Sequence, residues 1–433
     1  PMTDRSGSAP TFSPDGERIA FVASTDEGVE LFMHWLADNR TARLTQLSES
    51  PRNLSWSPDG RQIAFTMFKP AATKPMAKIP SAPKGAKWAA PFKVFEEVQY
   101  RADGAGFLRP GFAHVYLIDA DGGAPRQLTT GDFNHGGGIS WSEDGSALYI
   151  SGNRNDDWAL NTGNSDIYRV EVADGAVTAI TDRDGADFSP ALSPNGRYLA
   201  YLGFDNNRRG YENVQLHLHD LNSDETRLLA SDIDSSLGGI VWREDSRAIY
   251  FQYDREGMGQ VARTSLSGKV ETLVDDLGGT AMSRPYSGGS FDYASGTLSY
   301  TRSVAAQPAD IAVAQRNEPN TLTRLNDNLL NHRDLAQIES FRVKSSLDGR
   351  DIQAWVAKPP GFSPDKRYPL ILEIHGGPHT AYGPQFASEI QLMAAAGYVV
   401  VYANPRGSTS YGEEFANLID RAYPGGDFDD LMS

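Results

Sequence analysis

Cysteine is absent from all 433 residues of the chain. Disulfide bonds, thiolate nucleophiles and cysteine-ligated metals are therefore excluded. No run of apolar residues approaches the roughly 18 that a membrane-spanning helix requires. Residues 1–4 also lack the charged and apolar regions of a signal peptide. These absences favour a cytoplasmic protein without a membrane partner, or a periplasmic or secreted one whose signal peptide has been removed.

The chain also has fewer positively charged than negatively charged residues. The chain has 40 Lys and Arg against 56 Asp and Glu, which gives a formal net charge of -16 at pH 7. Nucleic acids and anionic membrane surfaces are bound by clustered Lys and Arg, so neither is expected as a partner. A chain of this length exceeds what one hydrophobic core organises, and two or more domains are expected.

A short phrase recurs along the first three quarters of the chain. Residues 12–16 read Phe-Ser-Pro-Asp-Gly, and apolar residues 19–21 follow. Proline presets φ for a turn and Asp-Gly tolerates positive φ, so each copy predicts a tight turn between two strands. Further copies begin at Trp56, Trp141, Leu192 and Trp242, and a degenerate copy lies at residues 291–293.

A second phrase, typified by Arg43-Leu44-Thr45, lies between the copies of the first. Its other copies begin at Gln127, Ala179, Arg227, Thr272 and Arg324. Six alternations, mostly about 50 residues apart, predict a β-propeller with six visible blades over residues 1–330. The interval between the copies at Trp56 and Trp141 is longer than the others, but it contains only one copy of the second phrase. We therefore predict an insertion at about 69–111 within one blade. Propellers also serve as binding modules without catalysis, and that alternative stays open.

After Asn331 the repeats stop, and strands alternate with helices. The expected strands are 338–345, 352–357, 369–374 and 398–403, and the expected helices are 386–396 and 411–422. Such alternation is typical of a parallel or mixed sheet covered by helices. Residues 331–433 are therefore predicted to form a second domain, built on such a sheet.

The loop after the third of these strands carries the chemistry. It reads His375-Gly376-Gly377-Pro378. In α/β-hydrolases a loop of this type supplies one amide of the oxyanion hole. Two glycines let the backbone approach a substrate closely and turn its N–H groups inward. Taken alone, the motif also fits an ordinary glycine turn after a strand.

In their order, these motifs resemble the acylaminoacyl-peptidase branch of the prolyl oligopeptidase family. The resemblance rests on the Ser-Pro-Asp-Gly phrases and on residues 100–104, 125–129, 375–378, 404–408 and 411–412, and it covers nearly the whole chain. It implies a seven-bladed propeller that screens access to a Ser-Asp-His site between two domains. It also implies that the N–H of Gly377 is an oxyanion donor, and that His375 orders the loop without belonging to the triad.

Two features depart from the family pattern. The Gly-x-Ser-x-Gly elbow that presents the nucleophile occurs nowhere in the 433 residues, and the triad of this fold follows the HGG loop. The whole triad is therefore expected outside the chain, on a C-terminal catalytic fragment or a continuation of the same polypeptide. The second departure is that six blades are visible where the family pattern has seven, and that the insertion lies in the second blade and not in the third. A first blade is therefore expected upstream of Pro1. The chain is thus interpreted as a fragment, in which residues 331–433 form the incomplete start of an α/β-hydrolase domain.

Other side chains invite a functional interpretation. Ser408 and Ser410 lie near the expected site, but neither sits in an elbow and no base is placed for either, so a solvated loop is expected. Arg406 is the candidate for binding a substrate carboxylate or carbonyl, and a salt bridge within the loop explains it equally well. His217 and His219 share a strand face, but two histidines do not close a metal site. No metal and no cofactor are expected.

The leading hypothesis is a serine peptidase that cleaves short or N-blocked peptides through an acyl-enzyme, with access gated by the propeller. Peptides are the expected partners, and the oligomeric state, a homo-oligomer included, is left open. One alternative is an esterase or other hydrolase that carries a propeller. The other is a non-catalytic binding propeller with a hydrolase remnant.

Overall fold

The structure, a computed structural model, describes residues 6–72, 80–89, 93–315 and 318–433. Residues 1–4, which lack the features of a signal peptide, and parts of the predicted insertion lie outside these ranges. The chain divides into two compact units, Pro1–Leu192 and Ser193–Ser433. Across the described ranges, no helix is long and apolar enough to cross a membrane.

The first unit is built from short antiparallel strands. They are β1 (Gly7–Phe12), β2 (Arg18–Ser24), β3 (Val29–Trp35), β4 (Arg40–Arg43), β5 (Arg52–Trp56), β6 (Gln62–Pro70), β7 (Arg101–Ala102), β8 (Gly106–Phe107), β9 (Gly111–Asp119), β10 (Arg126–Gln127), β11 (His135–Trp141), β12 (Ala147–Gly152), β13 (Asp166–Glu171), β14 (Val177–Ala179) and β15 (Gly185–Leu192). Three four-stranded sheets have the orders β1-β2-β3-β4, β10-β9-β6-β5 and β11-β12-β13-β14. In the second of these, β6 pairs directly with β9 as far as Pro70 opposite Gly111. Residues 71–110 therefore connect two neighbouring strands of one sheet.

The Ser-Pro-Asp-Gly phrase forms the same turn at its first four copies. In the first, the N–H of Gly16 donates to the Ser13 carbonyl at 2.8 Å, and the Ser13 hydroxyl donates to Asp15. Gly16 has φ of 72°, and the glycines of the next three copies have φ between 68° and 70°. This is the left-handed conformation that glycine adopts without strain, so the predicted turn is confirmed.

Tryptophans that open the phrase join successive sheets within the first unit. The indole N–H of Trp56 donates to the carbonyl of Thr11 at 3.2 Å, and that of Trp141 donates to the carbonyl of Ser55 at 3.3 Å. Both indoles are buried among apolar side chains of neighbouring sheets. A buried Trp requires a partner for its N–H, and the preceding sheet supplies it.

Three of the six copies of the second phrase end in a threonine that caps a strand. Thr45 Oγ1 accepts the backbone N–H of Leu31 at 3.0 Å, and Thr129 Oγ1 accepts that of Val115 at 2.9 Å. The same bond recurs at Thr181, and also at Thr323, which directly precedes the copy that begins at Arg324. Each hydroxyl satisfies a backbone donor that has no strand partner, which explains why Leu-Thr repeats in the sequence.

His135 is a buried histidine of the first unit. Its Nε2 lies 2.7 Å from Nη1 of Arg154, and its Nδ1 lies 3.4 Å from the carbonyl oxygen of Ala113. Burial, reinforced by the charge of Arg154, lowers the pKa of His135 to about 4. The folded chain therefore holds this imidazole in its neutral form.

The second unit contains further antiparallel sheets and one mixed sheet. Its strands are β16 (Tyr198–Asp205), β17 (Gln215–Asp220), β18 (Glu225–Leu229), β19 (Leu237–Trp242), β20 (Ala248–Arg255), β21 (Met258–Ser265), β22 (Val270–Leu277), β23 (Phe291–Ala294), β24 (Thr297–Val304), β25 (Gln307–Gln315), β26 (Glu318–Thr321), β27 (Gln337–Lys344), β28 (Asp351–Lys358), β29 (Leu370–Glu373) and β30 (Val399–Asn404). Its helices are α1 (Asp327–Leu330), α2 (Ser388–Ala395), α3 (Glu413–Asn417) and α4 (Gly426–Leu431). The strands β19 to β22 join β24 to β26 in one sheet through a single bridge, Leu277 opposite Arg302.

The elements predicted after Asn331 are present with one correction. The last four strands form a mixed sheet of order β27-β28-β30-β29, in which only β29 and β30 are parallel. The helix predicted over 411–422 is wrong in length, because regular helix covers only α3. Asn417 ends it: its side-chain amide donates to the carbonyl of Glu413 at 3.0 Å and accepts the N–H of Tyr211 at 3.1 Å, which competes with helical bonding.

Candidate functional site

Two loops that carry predicted site residues lie side by side at one edge of the mixed sheet. The strands β29 and β30 run parallel, with Glu373 opposite Tyr402. The loop 374–380 follows β29 and the loop 405–412 follows β30. Parallel strands bring the loops at their carboxyl ends to a common edge, where α/β sheets bind ligands.

His375 is buried and joins the first loop to the second. Its Nε2 lies 3.1 Å from Ser408 Oγ, and its ring meets that of Tyr382 edge-on at 5.0 Å. The Ser408 hydroxyl donates to the Pro405 carbonyl at 2.7 Å, so it accepts the Nε2–H of His375. Burial lowers the pKa of His375, which keeps the imidazole neutral near pH 7. The pair is therefore arranged to hold two loops together and not to activate Ser408.

Gly377 presents an unused backbone donor. Its φ of 71° lies in the left-handed region, and the residue is exposed. A Cβ at this position would meet no atom within 4 Å. The N–H of Gly377 donates to no other residue of the described ranges. A free N–H at this edge of the sheet can stabilise a developing oxyanion.

Asn404 clamps the segment that follows the glycine loop. Its side chain is fully buried, accepts the N–H of Tyr382 and donates to the carbonyl of Tyr382, both at 2.8 Å. It also donates to the hydroxyl of Tyr411 at 2.8 Å. Sequence reasoning noted Asn404 only as part of a motif, because its partners are distant along the chain and leave no local signal.

Arg406 is buried, and its guanidinium is bound within the protein. Nε and Nη2 lie 2.9 Å from the two carboxylate oxygens of Asp430, and Nη2 lies 3.2 Å from both Asp348 and Ser345. Its backbone N–H also donates to Asp430 at 2.8 Å. The loop salt bridge considered for Arg406 is therefore present. These bonds use Nε and Nη2, and the role of Arg406 in binding substrate remains a prediction.

The expectation of a solvated loop around Ser408 and Ser410 is wrong, because both side chains are buried. Ser410 has φ of 80°, which is uncommon for a residue other than glycine. Its Oγ accepts the N–H of Gly257 at 2.7 Å, and its carbonyl accepts the N–H of Glu256 at 2.9 Å. Ser410 thus receives the tip of the β20–β21 hairpin.

The hairpin tip is held from a second side. The side-chain amide of Gln385 donates to the carbonyl of Gly257 at 3.0 Å. Gly257 has φ of 76°, and a Cβ there would overlap the carbonyl oxygen of Tyr382. Sequence reasoning missed this contact, since Gly257 looks like any glycine in a hairpin turn.

Two family models match parts of the chain. The model described as "Prolyl oligopeptidase family" matches residues 384–433. The model described as "Dipeptidyl peptidase IV (DPP IV) N-terminal region" matches residues 87–207. The first match lies in the predicted hydrolase part and the second in the predicted propeller.

Curated relatives match along the whole chain. The uncharacterized peptidase YuxL of Bacillus subtilis is 28% identical over 444 residues, covering 98% of this chain and 65% of that protein. Dipeptidyl-peptidase 5 of Porphyromonas gingivalis is 25% identical over 100% of this chain and 63% of that protein. The chain spans a little less than two thirds of the length of these relatives.

Solved structures share the fold. The acylaminoacyl peptidase of Pyrococcus horikoshii has a TM-score of 0.79 at 23% identity, covering 98% of this chain and 62% of that one. An acylaminoacyl peptidase in complex with Z-Gly-Gly-Phe-chloromethyl ketone has the same TM-score and coverage at 22% identity. This likeness indicates a propeller domain followed by a hydrolase domain. The family models, the relatives and the fold together show that the chain is similar to peptidases of the prolyl oligopeptidase family.

Proposed function

We propose that the protein is a serine-type peptidase that cleaves short or N-blocked peptides through an acyl-enzyme. The Ser-Asp-His triad lies outside these 433 residues, and the chain contributes the propeller and one oxyanion donor. The observation that carries the proposal is the free, exposed N–H of Gly377 in a left-handed loop at the carboxyl end of β29. This is the place where hydrolases of this fold bind the oxyanion.

The chemistry assigned to this loop is electrostatic. When the nucleophilic serine attacks the scissile carbonyl, negative charge develops on the carbonyl oxygen, and the N–H of Gly377 donates to it. One such donor is worth about 3–4 kcal/mol of barrier. The donor must be positioned before the reaction, and the bond from His375 to Ser408 holds the loop for that purpose. His375 itself exchanges no proton with the substrate.

The domain division is part of the proposal. Residues 1–330 form the propeller, with seven blades in the complete protein and the insertion at about 69–111, and residues 331–433 begin the catalytic domain. Support comes from the recurring four-stranded sheets and from the fold of the acylaminoacyl peptidases. Within the second unit, contacts cross the boundary at 330, such as the N–H of Ser388 with the carbonyl of Met282 at 2.7 Å. A propeller docked in this way screens substrates by size.

The substrate class rests on what related proteins are named for. One structural neighbour was solved with Z-Gly-Gly-Phe-chloromethyl ketone, which is a short blocked peptide derivative. This supports short N-blocked peptides as substrates. The name of the Porphyromonas gingivalis relative, dipeptidyl-peptidase 5, makes release of dipeptides the second candidate.

The test uses the full-length protein with its complete catalytic domain. It is treated with a fluorophosphonate probe and assayed on an N-acetylated peptide amide, the same peptide with a free amino terminus, and a simple ester. We expect one labelled serine after residue 433 and hydrolysis of the acetylated amide. The 433-residue chain is the control. We expect it to remain unlabelled because its sequence has no Gly-x-Ser-x-Gly elbow, and because Ser408, which lies beside His375, donates its hydroxyl proton to the Pro405 carbonyl and not to the imidazole.

The other outcomes separate the alternatives. Hydrolysis of the ester alone identifies an esterase. Cleavage only of the peptide with a free amino terminus favours dipeptide release. The absence of both labelling and hydrolysis in a folded full-length protein contradicts the peptidase proposal and favours a binding propeller.

A further inference from the structure

The segment 206–214, between β16 and β17, reaches the glycine loop of the candidate site. Tyr211 places its ring 5.3 Å from the ring of His379, at an interplanar angle of 34°. Gly210 approaches the same histidine: a Cβ on Gly210 would lie 3.5 Å from His379 Nε2. The predicted propeller therefore touches the loop that carries the candidate oxyanion donor.

Tyr211 is held firmly from three directions. Its hydroxyl lies 2.7 Å from Ser236 Oγ. Its backbone N–H donates to Asn417 Oδ1 at 3.1 Å, and its carbonyl accepts from Asn417 Nδ2 at 2.9 Å. Two flanking bonds tie the same segment to α3, since Arg209 and the N–H of Asn213 both bind the carboxylate of Glu413. An aromatic ring anchored at its backbone and at its hydroxyl is a rigid support.

His379 transmits this support to the glycine loop. Its Nδ1 lies 3.2 Å from the carbonyl oxygen of Gly407, so the imidazole is held between the second loop and Tyr211. Beside it, the N–H of Thr409 donates to the carbonyl of Thr380 at 3.0 Å. Only Pro378 separates His379 from Gly377, and the proline ring fixes its own φ. A shift of the imidazole therefore carries over to the N–H of Gly377.

We propose that Tyr211 is a positioning residue that sets the direction of the Gly377 N–H through His379. The inference rests on the proposed function, in which this N–H binds the oxyanion. Tyr211 need not touch substrate: it acts by restricting a loop whose donor must be aligned before the transition state. Misplacing a catalytic group by about 1 Å costs on the order of 100-fold in rate. Removing the Tyr211 ring loosens the donor without deleting it, so the expected decrease in rate is smaller than this.

The experiment compares variants of the full-length enzyme on the acetylated peptide amide. For Tyr211→Ala we expect kcat to fall about 10-fold, with KM changed less than about twofold, because the transition state uses the donor more than the ground state does. Tyr211→Phe keeps the ring and loses only the bond to Ser236, so kcat should stay within about threefold of wild type. Tyr198→Ala is the matched control. Tyr198 lies at the other end of β16, and kcat should not change.

A second measurement does not depend on activity. Native-state hydrogen exchange should be faster in Tyr211→Ala at the amides of Thr380 and Thr409, which are bonded within the two loops, and unchanged in Tyr198→Ala. Thermal unfolding of each variant confirms that it is folded.

The results separate the inference from the proposed function. An active wild type with unchanged kcat in Tyr211→Ala overturns the positioning role and leaves the peptidase proposal standing. A rise in KM alone also overturns it, because that result identifies a substrate contact. An inactive wild type contradicts the peptidase proposal. In that case, hydrogen exchange decides whether Tyr211 holds the loops, and unchanged exchange rejects the inference.

Discussion

Replacing Arg406 with methionine distinguishes a structural salt bridge from a substrate-binding arginine. The Arg406 side chain is 7% exposed, and its partner Asp430 is 0% exposed. Methionine retains most of the aliphatic volume and removes the charge. After the change, Asp430 keeps only the backbone N–H of residue 406 among the donors described above.

The magnitude follows from the burial of both partners. Removing one member of a buried ion pair leaves an uncompensated charge and costs about 3–5 kcal/mol. Removing both members together is close to neutral, because the desolvation cost disappears with the charges. We therefore expect Arg406→Met to be strongly destabilising, and the double variant Arg406→Met/Asp430→Leu to regain most of the stability.

Thermal unfolding of the full-length protein is the assay, combined with kcat and KM on the acetylated peptide amide. Arg350→Met is the matched control. Arg350 pairs with Glu414, whose side chain is 70% exposed, and an exposed pair is worth about 1 kcal/mol or less. Its melting temperature should therefore change little.

One result would refute the reasoning for Arg406. If Arg406→Met melts at the wild-type temperature and its KM rises about 10-fold or more, the guanidinium serves the substrate and not the loop. Failure of the double variant to regain stability would show that Asp430 is not the partner that matters.

Three further predictions concern single residues. Gly377→Pro in the full-length enzyme deletes the candidate donor and cannot adopt the observed φ, so turnover should fall about 100-fold or more. Gly257→Ala should destabilise the protein by about 2 kcal/mol or more, because φ is positive and the new Cβ overlaps a backbone carbonyl. His135 binds no proton in the folded state until about pH 4, whereas the unfolded state binds one below about pH 6.5. His135 should therefore cost the fold up to about 3 kcal/mol as the pH falls through this window, and His135→Gln should lose that dependence.

Each of these has its own control. Gly163→Ala lies outside the glycine loop, and a Cβ there meets open space, so turnover should stay near wild type. Wild-type turnover in a folded Gly377→Pro would place the donor elsewhere. Gly268→Ala also has positive φ but no neighbour within 4 Å, so equal losses at Gly268 and Gly257 would argue against the overlap. For His135, urea midpoints at pH 7.5 and pH 5 are compared. Burial raises the pKa of Asp166 to about 6, so this residue makes stability rise as the pH falls, which is opposite to the effect of His135. Asp166 is present in both proteins, and its contribution is therefore the same in both. The same pH dependence with and without the imidazole would contradict the prediction.

The repeating turns and the order of strands and helices after Asn331 could be predicted because their signals are local. Gly16 adopts a positive φ because glycine has no Cβ, so the turn can be predicted from the Asp-Gly pair alone. The buried strands β29 and β30 are compact apolar runs. The helix α3 was predicted too long, because the residue that ends it, Asn417, is bound to Tyr211, and no local pattern reports that partner.

The candidate site likewise combines features that local sequence patterns predict with contacts that they do not. A glycine pair after an apolar strand can be recognised in the sequence, and it predicts a backbone donor at Gly377. Three contacts become visible only in the folded chain: His375 with Ser408, Arg406 with Asp430, and Tyr211 with His379. A turn depends on the torsion preferences of adjacent residues, which are written in the sequence. A contact between residues that are distant in the sequence depends on how sheets and loops pack. No local sequence pattern reports that packing, so such a contact is seen only once the whole chain has folded.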